Sequence, residues 1–238
     1  MSGPYDVAVD SAGNLFIADF FNNRIRKVSA SGIITTVAGD GNQGFNGDGG
    51  PATSAALSGP HGVAVDASGN LFFADSGSLI RKVSASGIIT TVAGTGNQGF
   101  NGNGGPATSA WLYGPGGVAV DASGNLFIAD SGNGRIRRVS ASGIITTAAG
   151  NGTNGFSGDG GPATSAAFAE PQGVALDTSG NLFIADFNNN LIREVSASVT
   201  AAAPSITAGR IVPVDSTVAT IQPGEWVSIY GNNLAVQR

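Results

Sequence analysis

The chain has no cysteine in 238 residues, one histidine and one methionine. Without thiols there is no disulfide and no thiolate-bound metal, and compartment is left open. Charge is scarce as well. Only 11% of residues are charged, and 11 Lys and Arg against 16 Asp and Glu give a net charge of −5. A nucleic-acid-binding domain carries a basic excess, so that class is disfavoured. No apolar run approaches the ~20 residues that a membrane-crossing helix needs. No signal-peptide pattern is seen at the first residues, and no extended segment carries a helical period.

What the chain has instead is glycine, 38 of them, and repetition. The block Val-Ala-Val-Asp or Val-Ala-Leu-Asp recurs at Val7, Val63, Val118 and Val174, at spacings of 56, 55 and 56 residues. The missing residue lies between Asp75 and Lys82, where the second copy encloses six residues and the others seven. A loop absorbs such a deletion while the strands stay intact. A period of this length suits a propeller blade carrying an insertion.

Within the third copy, Gly117–Val120 is a short β-branched run, as expected of an inner strand. Asp121 to Asn125 reads as a tight turn, Leu126–Ala129 as a second strand and Ser131–Gly134 as a polar loop. Arg135–Val139 is a third strand, with Ile136 inward and Val139 inward if a bulge shifts the register. Ser140–Gly143 turns again into an outer strand at Ile144–Thr147. Four antiparallel strands with turns this short make a blade.

The pattern G-V-A-V-D-x-x-G-N-L-F-I-A-D-x-x-N-x-R-I-R-K-V resembles the NHL repeat, over residues 3 to about 197 in four copies. The resemblance implies an all-β propeller of four-stranded blades within residues 1–198, with repeats at about 3–58, 59–113, 114–169 and 170–198. Family members usually close into six blades. Four copies predict an open arc, with a closed four-bladed ring as the alternative, and the fourth copy has no clear outer strand. Met1–Tyr5 aligns with Leu57–His61, so the chain is expected to be a piece of a longer, bacterial multi-repeat protein.

Residues 199–205, with Ala201-Ala202-Ala203-Pro204, read as a linker. From 206 to 238 the phrase P-G-E-W-V-S-I-Y-G-x-N-L resembles the start of immunoglobulin-like modules that follow NHL arrays in some secreted bacterial proteins. That resemblance implies an extracellular, cell-surface or periplasmic location.

Each connection, such as Gly39–Pro60, holds a glycine-rich arc and then Pro51-Ala52-Thr53-Ser54-Ala55-Ala56-Leu57, read as two turns of helix. Leu57, Leu112 and Phe168 are expected to anchor it. Phe45, Phe100 and Phe156 are expected to plug it into the core. Strand alternation puts these connections at one end of the propeller, together with the loops after Asp19, Asp75, Asp130 and Asp186. That elaborated face is the candidate binding surface.

Features kept in every copy are ascribed to the blade. Asp10, Asp66, Asp121 and Asp177 cap turns, and Asp19, Asp75, Asp130 and Asp186 cap or pair with arginines. Nine basic residues lie on third strands (Arg24, Arg26, Lys27, Arg81, Lys82, Arg135, Arg137, Arg138, Arg193) and read as a solvated, salt-bridged flank. Asp48 and Asp159 could suggest calcium, but Asn103 replaces them in the middle copy and no second carboxylate is suitably spaced. No metal and no cofactor is expected.

Features that differ between copies are the functional candidates. At the mouth of the inner strands stand Tyr5, His61, Gly116 and Gln172, which should ring a channel. Some NHL-type enzymes, such as the lyase that makes peptide amides, hold a metal there with several histidines; His61 alone cannot. No G-x-S-x-G nucleophile elbow is present. On the loop face, Phe20, Phe21, Trp111, Tyr113 and Phe187 could contact a peptide or stack on a sugar.

The sequence therefore points to a non-catalytic scaffold that binds protein or carbohydrate, with no nucleic acid, no membrane insertion, and self-association through open blade edges. The alternatives are a propeller-type lyase or hydrolase with most catalytic groups in missing blades, and a ligand-sensing receptor ectodomain.

Overall fold

The computed structural model describes residues 1–197 and two short strands at 205–206 and 212–213. The expected linker and immunoglobulin-like module otherwise lie outside the described residues. The first blade is β1 (Pro4–Val9), β2 (Leu15–Asp19), β3 (Arg24–Val28) and β4 (Ile34–Ala38), antiparallel and paired in that order. The second is β5 (Pro60–Val65), β6 (Leu71–Asp75), β7 (Leu79–Val83) and β8 (Ile89–Ala93). The third is β9 (Pro115–Val120), β10 (Leu126–Asp130), β11 (Arg135–Val139) and β12 (Ile145–Ala149). The fourth begins with β13 (Pro171–Leu176), β14 (Leu182–Asp186) and β15 (Leu191–Ser196). Its outer edge, for which the sequence offered no obvious strand, is met by β16 (Ser205–Ile206) and β17 (Val212–Pro213), both antiparallel to β15. The fold is an all-β propeller of four blades.

Adjacent blades pack inner strand to inner strand, β1 on β5, β5 on β9 and β9 on β13. At the axis the backbones nearly touch: a Cβ on Gly62 would lie 2.5 Å from Gly117 Cα, and one on Gly117 3.0 Å from Gly173 Cα. This close approach is why glycine opens the inner strand.

One face of each blade carries Phe with Ala and Ile, and it packs on a Val-, Leu- and Ile-rich face of the next. Phe16, Ala18 and Ile25 cluster with Val63, Leu71, Val83 and Ile89, and the second and third junctions repeat the arrangement. Both faces of a blade are thus buried. Ile136 and Val139 point to opposite faces and both are covered, so no bulge is needed to bury Val139. The first blade differs. Val7 is 50% exposed, where its counterparts Val63 and Val118 are 4% and 5%, and Val9 is 51% exposed, where Val65 and Val120 are half-buried, because no blade covers that side among the described residues.

Burial of both faces also corrects the expected basic flank. Arg81, Arg137 and Arg193 are completely enclosed between blades, while Arg138 stays exposed and Lys27 and Lys82 lie over Phe16 and Phe72. Each buried guanidinium meets its own blade's aspartate: Arg81–Asp75 at 3.6 Å, Arg137–Asp130 at 3.4 Å and Arg193–Asp186 at 3.5 Å. Each also donates to a carbonyl of the preceding connection, on Asn46, Asn101 or Ser157. Asp48 and Asp159, which could have suggested calcium, pair with Arg81 and Arg193 at 2.8 and 2.6 Å.

The connections are also corrected in detail. Ala52–Ser54, Ala107–Ser109 and Ala163–Ser165 form a single 3-10 turn each, not two turns of helix, and the chain then runs extended. Leu57, Leu112 and Phe168 are fully buried, as anchors should be. Phe45, Phe100 and Phe156 are not plugs. They are 64%, 40% and 52% exposed, and Phe100 and Phe156 cover arginines, with Arg135 3.9 Å above Phe100 and Arg193 4.9 Å from Phe156. The Phe100 and Phe156 rings thus serve guanidinium planes, a role that the sequence pattern did not reveal.

The deletion in the second blade has a chemical consequence. In the other blades an asparagine in the loop, Asn22, Asn133 or Asn189, donates to the buried aspartate. The shortened Ser76-Gly77-Ser78 loop has none, and Asp75 Oδ2 and Arg81 Nη1 have no hydrogen-bond partner. Ser78 takes the left-handed position, φ 59°, held elsewhere by Asn23, Gly134 and Asn190. Its buried hydroxyl is unpaired as well. Ser78→Gly is therefore expected to stabilise the chain by about 1 kcal/mol, read as a higher urea midpoint at unchanged slope. A lower midpoint would contradict this.

Candidate functional site

The loop after β2, the loop after β6 and the connection into β5 converge at the elaborated end of the first two blades. Asp19 and Asp75 set their geometry. Each is fully buried and accepts a backbone N–H from the arriving chain, Ser2 at 2.7 Å and Ser58 at 2.8 Å. These clamps hold the inner-strand mouths beside the loops.

Four of the candidate residues meet here. The Tyr5 and His61 rings are 4.9 Å apart at 75°, Phe20 lies 4.8 Å from His61 and 5.2 Å from Tyr5, and Phe21 stands edge-on to Phe20 at 4.9 Å. Tyr5 is 45% and Phe21 70% exposed, so the cluster offers ring surface to solvent. Gly59 and Gly3 make room for it: a Cβ would lie 2.8 Å from Phe20 and 2.5 Å from Phe21. Beside it is an open pocket of 220 Å³ lined by Phe20, Phe21, Asn23, Gln43, Ser58, Gly59 and Ser76. Every lining side chain is neutral. Gln43 reaches Ser58 Oγ at 3.3 Å, and Asn23 Oδ1 accepts the Gly59 N–H at 2.9 Å.

His61 is the titratable group of the cluster. Burial pushes its pKa down, against a smaller upward pull from the Gly59 backbone, so the imidazole is neutral at pH 7. Ser76 Oγ donates to the Gly59 carbonyl at 2.9 Å and lies 3.2 Å from His61 Nδ1. Which of the two atoms donates in that second contact follows the imidazole tautomer. Together the two contacts tie the loop after β6 to the mouth of β5.

The other candidates stay apart from this group. Gln172 is half-buried, and its carbonyl oxygen fills the space beside Gly116, 2.6 Å from where a Cβ would stand. Trp111, 40% exposed, lies over Gly99, and Tyr113, 46% exposed, lies on Gly132. Phe187, 39% exposed, follows Asp186 on the fourth blade, in the place that Phe20 holds on the first. The polar lining, Asn23, Gln43, Ser58 and Ser76, was not foreseen. Gln43 recurs as Gln98 and so reads as a blade feature. The signal for Ser76 was its alternation with Phe20, Ser131 and Phe187 at one repeat position. Among the described residues no group of three His, Cys, Asp or Glu is placed to hold a metal ion.

Comparison with known proteins matches the architecture. The teneurin NHL domain profile matches residues 40–101 and 95–157, and the NHL repeat profile matches residues 168–194. Mouse teneurin-4 is 36% identical over 105 residues, which is 38% of this chain and 4% of that protein. An auxiliary nutrient binding protein from Bacteroides ovatus has a TM-score of 0.62 at 20% identity, covering 81% of this chain and 47% of that one. Virginiamycin B lyase from Staphylococcus aureus has a TM-score of 0.53 at 18% identity, covering 89% of this chain and 55% of that one. The chain thus spans a small fraction of teneurin-4 and about half of these two structures.

Proposed function

Because the chain belongs to the NHL-repeat β-propellers, we propose that it is a non-catalytic scaffold that binds a neutral carbohydrate on its loop face. The observation that carries this is the Tyr5, Phe20, Phe21 and His61 cluster beside an uncharged pocket. Flat exposed rings stack on the C–H faces of a sugar, and the nearby amides and hydroxyls match its hydroxyl groups. A charged ligand would find no counter-charge in the lining. A protein ligand is the second reading, favoured by the 70% exposure of Phe21, since exposed aromatic anchors also carry protein interfaces. The nutrient-binding neighbour lends weight to a binding role and the lyase neighbour to the enzyme alternative. The exposed ring cluster beside an uncharged pocket is our reason for preferring the former. By the resemblance of its tail, we place the protein outside the cell or at its surface.

Calorimetric titration with neutral hexasaccharides (cellohexaose, chitohexaose, mannohexaose) tests the reading. Binding of at least one, weakened about tenfold by Phe21→Ala or Tyr5→Ala, is expected from loss of one stacking partner. Binding that ignores both substitutions, or no binding to any neutral glycan while a peptide library is captured through Phe21, would overturn it.

A further inference from the structure

The third blade carries exposed rings that its fold does not require. Trp111 and Tyr113 flank the fully buried Leu112 on the extended run that follows the 3-10 turn, and they are 40% and 46% exposed. In an extended chain, residues two apart point to the same side about 7 Å from each other, so both rings face away from the core that takes Leu112. Glycine lies under each: a Cβ on Gly99 would be 3.2 Å from Trp111, and one on Gly132 2.5 Å from Tyr113. Their backbone N–H groups are fixed by Asn101 Oδ1 and Asp130 Oδ1, at 2.7 and 2.8 Å. Exposed Gln98 runs beside Leu112 and offers a carboxamide with no partner among the described residues.

The sister copies fold without these rings. Ala56 and Ala167 hold the place of Trp111, and Ser58 and Ala169 that of Tyr113, within the same blade architecture. The third blade is flanked by the second and the fourth, so the exposure of its rings does not come from an uncovered end. The first blade reaches a like arrangement from the opposite partner. There the loop supplies the rim ring, Phe21, over Gly3 of the arriving chain. In the third blade the loop supplies Gly132 and the arriving chain supplies Tyr113.

We propose that the loop face holds an extended neutral polysaccharide at two stacking stations, the Phe20–Phe21 rim of the first blade and the Trp111–Tyr113 pair of the third. The second blade and its connection lie between them and present Gln43, Ser58 and Ser76 on the uncharged pocket. Two flat rings side by side suit successive sugar rings of one chain, and the Gln98 carboxamide matches their hydroxyl groups. One ligand chain that engages both stations binds more tightly than either station alone, because the second contact becomes intramolecular. The proposal rests on the carbohydrate reading of the first station and adds to it the length of the ligand and a second place that holds it.

Calorimetric titration with hydroxyethyl cellulose, glycol chitin and soluble mannan, against cellobiose, chitobiose and mannobiose, tests the second station. At least one polymer, counted per hexasaccharide unit, should bind about tenfold or more tightly than its disaccharide. Trp111→Ala and Tyr113→Ser should each weaken the polymer about tenfold. Both substitutions install a residue that a sister copy carries, so melting of the variants should match the wild type and separate lost stacking from lost fold. Polymer binding that Phe21→Ala weakens but that ignores Trp111→Ala and Tyr113→Ser would overturn the second station and leave the first in place. A polymer bound no more tightly than its disaccharide would overturn it as well. No binding of any of these glycans would overturn the carbohydrate reading and this proposal together.

Discussion

Replacing Arg137 with alanine should lower stability by about 3–5 kcal/mol, the usual cost of stranding a buried charge. The carboxylate left behind, Asp130, is fully enclosed, and its pKa is already raised by burial. The same burial depresses the pKa of Arg137, so neither partner is comfortable alone. The substitution also removes the guanidinium that donates to the Asn101 carbonyl at 3.2 Å and lies 4.7 Å from the Phe100 ring. Neighbouring Arg138 is exposed, and Arg138→Ala should stay within about 0.5 kcal/mol. Urea denaturation of the two variants separates a buried inter-blade tie from a solvated flank. Equal and small effects would mean that the flank reading of the sequence was right after all.

Stability should also fall as pH rises from about 4 to 7, and Asp75 should carry much of the fall. Burial raises its pKa from 3.8 to about 7 in the folded chain, despite the opposing pull of the Ser58 N–H and Arg81. Below 3.8 the carboxyl is protonated in folded and unfolded chains alike. Between 3.8 and about 7 the unfolded chain gives up the proton while the folded chain keeps it, so ionisation favours unfolding. The contribution is fully present below the lower value and lost above the upper one, a change of about 4 kcal/mol by linkage. Asp130 and Asp186 shift in the same direction from the same cause. Asp75→Asn keeps the acceptor for Ser58 and cannot ionise. Its stability relative to wild type should therefore climb between pH 4.5 and pH 8. Parallel profiles would contradict the buried, under-paired geometry that the shortened loop imposes.

Repeats made most of the fold legible. A block returning four times fixed the blades, the strand order within them and the crowded end, because each copy is an independent report of the same local physics. The retained aspartates were assigned correctly for that reason. Asp10, Asp66, Asp121 and Asp177 each accept the side-chain amide of the asparagine four residues on. Side-chain environments were harder to see. An arginine on a strand reads as solvent-facing when one blade is considered alone. Only the stacking of a second blade shows that Arg81, Arg137 and Arg193 are enclosed. Phe100 and Phe156 read as core for the converse reason, since the sequence does not show that the ring beside an arginine can stay outside and cap it.

The site was half legible. Position in the repeat put Tyr5 and His61 at a strand mouth and Phe20 and Phe21 on a loop, as two separate groups. That they form one cluster follows from how the first blade leans on the second, with Gly59 giving way to the Phe20 ring. Their polar neighbours were missed because Gln43 recurs and so looked like part of the scaffold.

The chain's single histidine supplies the most direct test of the rim as a binding surface. The His61 ring C–H resonances have no overlap from any other histidine, and the ring lies within 5 Å of both Tyr5 and Phe20. We would follow them by NMR while adding the neutral hexasaccharides. The account predicts a saturable shift of the His61 signals, lost with Phe21→Ala. Saturable binding that leaves His61 unmoved and instead perturbs Trp111 would contradict it, and would place the ligand on another part of the loop face.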